Sequence, residues 1–134
     1  MSAPAGYVQT ALIDPFEIYL GPVFETGEKG ARRFALTVDE RHVNGRGVVH
    51  GGMFMSLADL VSGQAAWDAT GNAAVVTLNM QSQFLKTARV GDVIEVTPRV
   101  TRRTRSLLFL RADFEVAGEV VFTASSVWKI LGQD

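Results

Sequence analysis

From Arg32 the chain alternates, with Phe34, Leu36 and Val38 on one side and Arg33, Ala35 and Thr37 on the other. That period of two predicts a half-buried strand. From about His50 to Trp67 the period changes. Met53, Phe54, Leu57, Ala58, Val61 and Ala65 spread over roughly half a helical circumference, which predicts a helix embedded in a core rather than laid on a surface. The small residues Gly52, Ser56 and Gly63 fall in a narrow stripe on that helix, with Asp59 among them. After Gly71-Asn72 the period of two returns. In Ala73 to Leu85 the pattern sets Val76, Leu78, Met80 and Phe84 against Thr77, Asn79, Gln81 and Gln83. Val93 to Thr101 reads as the next strand, with Pro98 marking a bulge or an edge. Two further strands, Leu108 to Val116 and Val120 to Ile130, flank a hairpin turn at Ala117-Gly118.

Ahead of the first long strand, Asp14-Pro15 has the form of a helix start, and Gly21-Pro22 would stop that helix after about Leu20. Val23 to Thr26 reads as a short strand, Asp39 to Val49 as a loop, and residues 1–13 as a flexible N-terminus. The order is strand, strand, buried helix, then four strands on short connections. Short connections make antiparallel pairs, so the fold class is α+β: one curved antiparallel sheet wrapped around one long central helix, in a single domain over residues 1–134. Apolar side chains on the other face of the sheet call for a homo-oligomer.

Composition narrows the chemistry. Apolar residues make up 47% and charged residues 20% of the 134, enough for a packed core. A net charge of −1 argues against a nucleic-acid binder. The absence of cysteine excludes disulfides and thiolate metal sites, and two histidines are too few for a histidine-rich one. No signal peptide and no membrane-length apolar run is visible, so the expectation is a cytoplasmic protein that needs neither metal nor cofactor.

The chemistry concentrates in Asn44 to Trp67. Asp59 has Met55, Ser56, Ser62 and Gly63 as its helical neighbours, and no Lys or Arg in that helix to pair with it. A mid-helix Asp with neither a cap role nor an ion pair carries a small propensity cost, which points to function. Gly51 and Gly52 open the helix, where N–H groups have no intrahelical partner and lie at a positive dipole end. Asn44 and His50 read from the residues alone as a turn-supporting loop residue and a helix-start residue bonded to backbone, and Thr77 as an ordinary strand threonine.

Together these residues resemble a known family. Asn44 precedes Gly51 by seven positions and Asp59 follows it by eight, with His50-Gly51-Gly52 between them. Val75 to Leu78, Phe84-Leu85-Lys86 and Gly91-Asp92 follow in the same register. This pattern resembles the PaaI-like acyl-CoA thioesterases of the hotdog fold, over about Asp14 to Ile130. The resemblance implies hydrolysis of an acyl- or aryl-CoA to free acid and coenzyme A, with the coenzyme as part of the substrate. It implies that the Asp59 carboxylate attacks the thioester carbonyl or activates water, and that the Gly51 N–H is the oxyanion donor. On this expectation one rigid helix supplies both groups, two turns apart. It further implies that Asn44 orients water or thioester, that His50 is structural and positioning, and that Thr77 reaches the neighbouring protomer's site. A homodimer or homotetramer is expected.

Arg99, Arg102, Arg103 and Arg105, with Thr104 and Ser106, form the one dense basic run and are expected to span a strand connection. Arginine forks suit the phosphates of coenzyme A, so Arg102, Arg103, Thr104 and Arg105, joined by Lys86, are its candidate binders. Two other readings stand beside hydrolysis. A hotdog hydratase needs a His five residues after the acid, where Gln64 stands; the dehydratase arrangement is less sharply excluded, since His50 and Asp59 are nine apart. A non-catalytic acyl-CoA-binding domain is the third.

Overall fold

The computed structural model describes residues 3–11 and 14–132. The expectation of a flexible N-terminus falls partly on residues 1–2 and 12–13, outside that set. Within it, residues 7–10 are tied down. Strand β1 (Val8–Gln9) pairs with β2 (Phe24–Thr26), the Thr10 N–H donates to the Val23 carbonyl at 2.9 Å, and the Tyr7 hydroxyl donates to Glu95 Oε2 at 2.6 Å. Period analysis cannot find a two-residue strand held mainly by its neighbours.

Helix α1 (Pro15–Leu20) starts where Asp14 accepts the Phe16 N–H at 2.8 Å. It ends at Gly21, whose φ of +90° no other residue adopts at low cost. Strand β3 (Arg33–Thr37) pairs with β2 on one side and with β5 (Val93–Val96) on the other. A 3-10 turn, Glu40–His42, interrupts the loop that leads to helix α2 (Gly51–Ala69). Then come β4 (Val75–Phe84), β6 (Arg99–Arg103), β7 (Leu107–Val116) and β8 (Glu119–Ile130). Every pairing is antiparallel, in the order β1-β2-β3-β5-β7-β8-β4, with β6 against β7.

Three details depart from the expected pattern. The stretch Val93 to Thr101 is two strands, because buried Pro98 has no N–H to offer a ladder; β5 and β6 follow one another along the same flank of β7. The arginines from 99 to 103 therefore lie in a strand, and only residues 104–106 form the connection. In β4 a bulge between Thr77 and Asn79 shifts the alternation by one residue. Val76 and Leu78 consequently face outward, 41% and 56% exposed, whereas Thr77 and Met80 both turn toward α2.

Helix α2 lies in the concave face of the sheet. Met53, Phe54, Leu57, Ala58 and Val61 pack with Phe34, Leu36, Ile94, Phe114 and Phe122. Phe54 stacks on Phe122 at 4.9 Å and meets Phe114 edge-on at 6.5 Å. Toward the helix C-terminus Ala66 joins Leu108, Leu110, Trp128 and Ile130. That end is also held by polar contacts. Arg32 bonds Asp68 at 2.7 Å, and Arg103 Nη1 donates to the Ala69 carbonyl at 2.6 Å, satisfying one orphan carbonyl of the last turn.

Candidate active site

Only about half of α2 faces the sheet. Asp59 lies outside that half, and its side chain is exposed in a single chain. It is nonetheless positioned. The Thr77 hydroxyl donates to Asp59 Oδ1 at 2.6 Å, which the bulge in β4 makes possible by turning Thr77 inward. Among the described residues no cation pairs with Asp59. Thr77 thus belongs with the Asp59 of its own chain.

Two cavities meet at this carboxylate. One, of about 420 Å³, runs between α1 and α2 past Gly63 to Trp67, Trp128 and Val75. The other, of about 380 Å³, is bounded by Phe16, Leu20, Met55, Ser56 and Met80. Gly63 sets the depth of the first, because a Cβ there would lie 3.0 Å from the Trp128 ring. Asp14 and Glu17 line both cavities with Asp59. Burial pushes the Glu17 carboxyl above its ordinary value, and the negative charges of Asp14 and Asp59 push it the same way. Sequence reasoning missed Glu17: its place beside Asp59 depends on how α1 packs across α2, for which a six-residue helix gives no signal.

At the helix N-terminus the glycine pair splits its roles. His50 caps the helix, its Nδ1 accepting the Gly52 N–H at 2.9 Å, which leaves the imidazole proton on Nε2. Gly51 N–H finds no acceptor among the described residues. It faces a shallow groove of about 240 Å³ lined by Val49, Phe84, Leu85, Lys86 and Thr87. Asn44 shapes the loop before it, its Oδ1 accepting the Arg46 N–H at 2.9 Å and, at 3.4 Å, the Val48 N–H. The loop is anchored by buried His42, whose carbonyl accepts the His50 N–H at 2.9 Å. The His42 ring takes the Asp39 N–H on Nδ1 and donates from Nε2 to the Leu20 carbonyl.

The expectation that one helix supplies both catalytic groups to one substrate fails on geometry. Eight residues at 1.5 Å each place Gly51 and Asp59 about 12 Å apart along the axis. An oxyanion donor and an attacking oxygen must each lie about 3 Å from one carbonyl group. The proposed coenzyme ligands also divide. Arg103 caps the C-terminus of α2, and the Thr104 hydroxyl accepts the Leu107 N–H within its turn. Lys86 is at the opposite end of the helix, bridged to Glu119 at 2.9 Å.

The family model described as the thioesterase superfamily matches residues 46–123, more than half of the chain. A Pseudomonas aeruginosa protein named "Putative esterase PA0474" is 33% identical over 134 residues, covering 97% of this chain and 98% of its own. Human acyl-coenzyme A thioesterase 13 is 30% identical over 78 residues, 58% of this chain and 56% of that protein. Among solved structures, zebrafish thioesterase superfamily member 2 superposes with a TM-score of 0.82 at 25% identity, over 88% of each chain. The Escherichia coli PaaI protein does so with a TM-score of 0.80 at 21% identity, over 90% of this chain and 87% of that one. The curved antiparallel sheet around one helix is therefore the hotdog fold.

Proposed function

Because this chain belongs to the thioesterase superfamily, we propose that it hydrolyses the thioester of an acyl- or aryl-coenzyme A, with Asp59 as the reacting carboxylate. The observation that carries this reading is Asp59 itself. It is a mid-helix acid without a cation, oriented by Thr77 and placed where two cavities meet.

The 12 Å separation along α2 is bridged by a second copy of the chain. Strand β4 ends the sheet, and its free flank is ten residues long with Val76 and Leu78 exposed beside it. A long uncovered edge of this kind calls for a partner. The residue midway between Gly51 and Asp59 is Met55, and Met55 borders the same cavity as Met80, near the middle of β4. A two-fold axis through that point pairs two β4 edges antiparallel and sets two α2 helices antiparallel below them. It carries Gly51 of one protomer to Asp59 of its partner, twice. The same operation brings the basic residues at the C-terminus of one helix toward the end of the other that holds Lys86.

At each composite site the thioester oxygen accepts the Gly51 N–H, which stabilises the negative charge that develops as the carbonyl becomes tetrahedral. The other protomer's Asp59 either attacks the carbonyl carbon or takes a proton from the water that does. On the water route the carbon–sulfur bond then breaks to release the free acid. On the direct route it breaks to leave an acyl anhydride on Asp59, which water hydrolyses to the free acid and the restored carboxylate. On either route coenzyme A leaves as the thiolate and takes up a proton. Thr77 holds the carboxylate in place for either route, and His50 keeps the helix start open by capping Gly52 instead of Gly51. Phosphates of the coenzyme are proposed to meet Lys86, Arg102, Arg103, Thr104 and Arg105, and Asn44 to orient the thioester or its water.

Thiol release followed with a disulfide reagent across short, medium, long and aryl acyl-CoAs tests this reading. Turnover is expected with at least one substrate, and Asp59→Ala should lower it about a thousand-fold or more. Release at the uncatalysed background rate for wild type and variant on every substrate would leave a binding protein without catalysis, and equal turnover above it would remove Asp59 as the reacting carboxylate.

A further inference from the structure

The larger cavity at Asp59 has an uneven lining. Its walls set Phe34, Leu60, Trp67, Val75 and Trp128 beside the polar Thr10 and Gln64, and every ionisable side chain on it is an acid: Asp14, Glu17 and Asp59. These three differ in what holds them. Asp14 caps α1, and Asp59 accepts the Thr77 hydroxyl. Glu17 makes no hydrogen bond and no ion pair among the described residues, although it lines both cavities and its burial opposes ionisation. A partly desolvated carboxylate with no cation leaves its field uncompensated across the space beside it. Any group in that space feels the field at close range.

We propose that this cavity receives the acyl group and that Glu17 is a specificity-determining residue, admitting uncharged acyl groups and rejecting those that end in a carboxylate. The proposal rests on the thioesterase reading and adds a substrate class to it. An acyl chain whose thioester is at Asp59 starts beside Glu17 and extends past Gly63 toward Trp67 and Trp128. A terminal methyl meets aromatic surface there. A terminal carboxylate lies in the negative field of Glu17 and its acidic neighbours, with no lysine or arginine among the lining residues to neutralise it.

Hexanoyl-CoA and adipoyl-CoA test this, because both carry six acyl carbons and differ in a terminal methyl against a terminal carboxylate. For the wild type, kcat/KM for hexanoyl-CoA should exceed that for adipoyl-CoA by about ten-fold or more, as like charges at close range require. Glu17→Gln, which keeps the shape and removes the charge, should narrow that ratio about three-fold, and Glu17→Lys should narrow it further. A wild-type ratio near one, or a ratio unmoved in both variants, overturns the role of Glu17 while turnover itself leaves the thioesterase reading standing. No thiol release from any acyl-CoA, neutral or carboxylate-ended, overturns that reading and this proposal together.

Discussion

Gly51 is the residue at which the proposed chemistry can be removed with least damage to the fold. Its N–H is the group in question, and proline lacks it. Proline is also favoured at the first position of a helix, and His50 before it has φ −63° and ψ 136°, the conformation a residue preceding proline prefers. Gly51→Pro should therefore fold with a melting temperature close to that of Gly51→Ala and lose about 10²–10³-fold in kcat relative to it. Both variants place a Cβ about 3.2 Å from the half-exposed Phe84 ring, so alanine is the control for bulk. Similar turnover in the two would mean that Gly51 is not the oxyanion donor. The candidates Asp59, Gly51 and Asn44 were legible as residues because each sits where local physics offers no structural need for it, or at a spacing the family resemblance supplies. Thr77 was nameable only through that resemblance, because its contact with Asp59 depends on a bulge that the alternation of β4 does not announce. Glu17 had no signal at all.

Among the elements, α2, β3, β7 and most of β8 were readable because one period runs through each, broken in β8 only by the bulge at Val121. The misread elements are those where one residue breaks a period: Leu78 at the bulge, Pro98 between β5 and β6, and the brief strand β1. Strand β1 is held partly by Tyr7, and this makes a testable pH dependence. Burial pushes the Tyr7 phenol up from its ordinary 10.0 to about 12, and the hydrogen bond to Glu95 with its negative charge adds to the effect. Folding therefore favours the protonated phenol. The stability this contributes is complete below pH 10 and is lost as the pH rises from 10 to 12. A spectrophotometric titration of wild type minus Tyr7→Phe isolates this phenol and should show its midpoint near 12. A midpoint near the ordinary value would mean that Tyr7 does not hold β1 against Glu95.

At the scale of the whole molecule, the sequence pattern implied an oligomer from apolar residues on the outer sheet face. The proposed chemistry supplies a more specific reason: the two groups it assigns to one carbonyl lie about 12 Å apart along one helix. No period or spacing analysis of one chain reveals that, because spacing along a helix reads as proximity until it is converted to distance. The central claim is accordingly that hydrolysis occurs at a site shared by two protomers, and subunit mixing tests it most directly. Asp59→Ala and Gly51→Pro, each nearly inactive alone, are mixed in equal amounts under conditions that allow subunit exchange, and thiol release from an acyl-CoA substrate is followed. A mixed dimer carries both intact groups at one of its two sites, so activity should recover to roughly a quarter of the wild-type value per chain. If the mixture stays at the level of its two components while exchange is complete, Asp59 and Gly51 do not act across the interface, and the composite site is wrong.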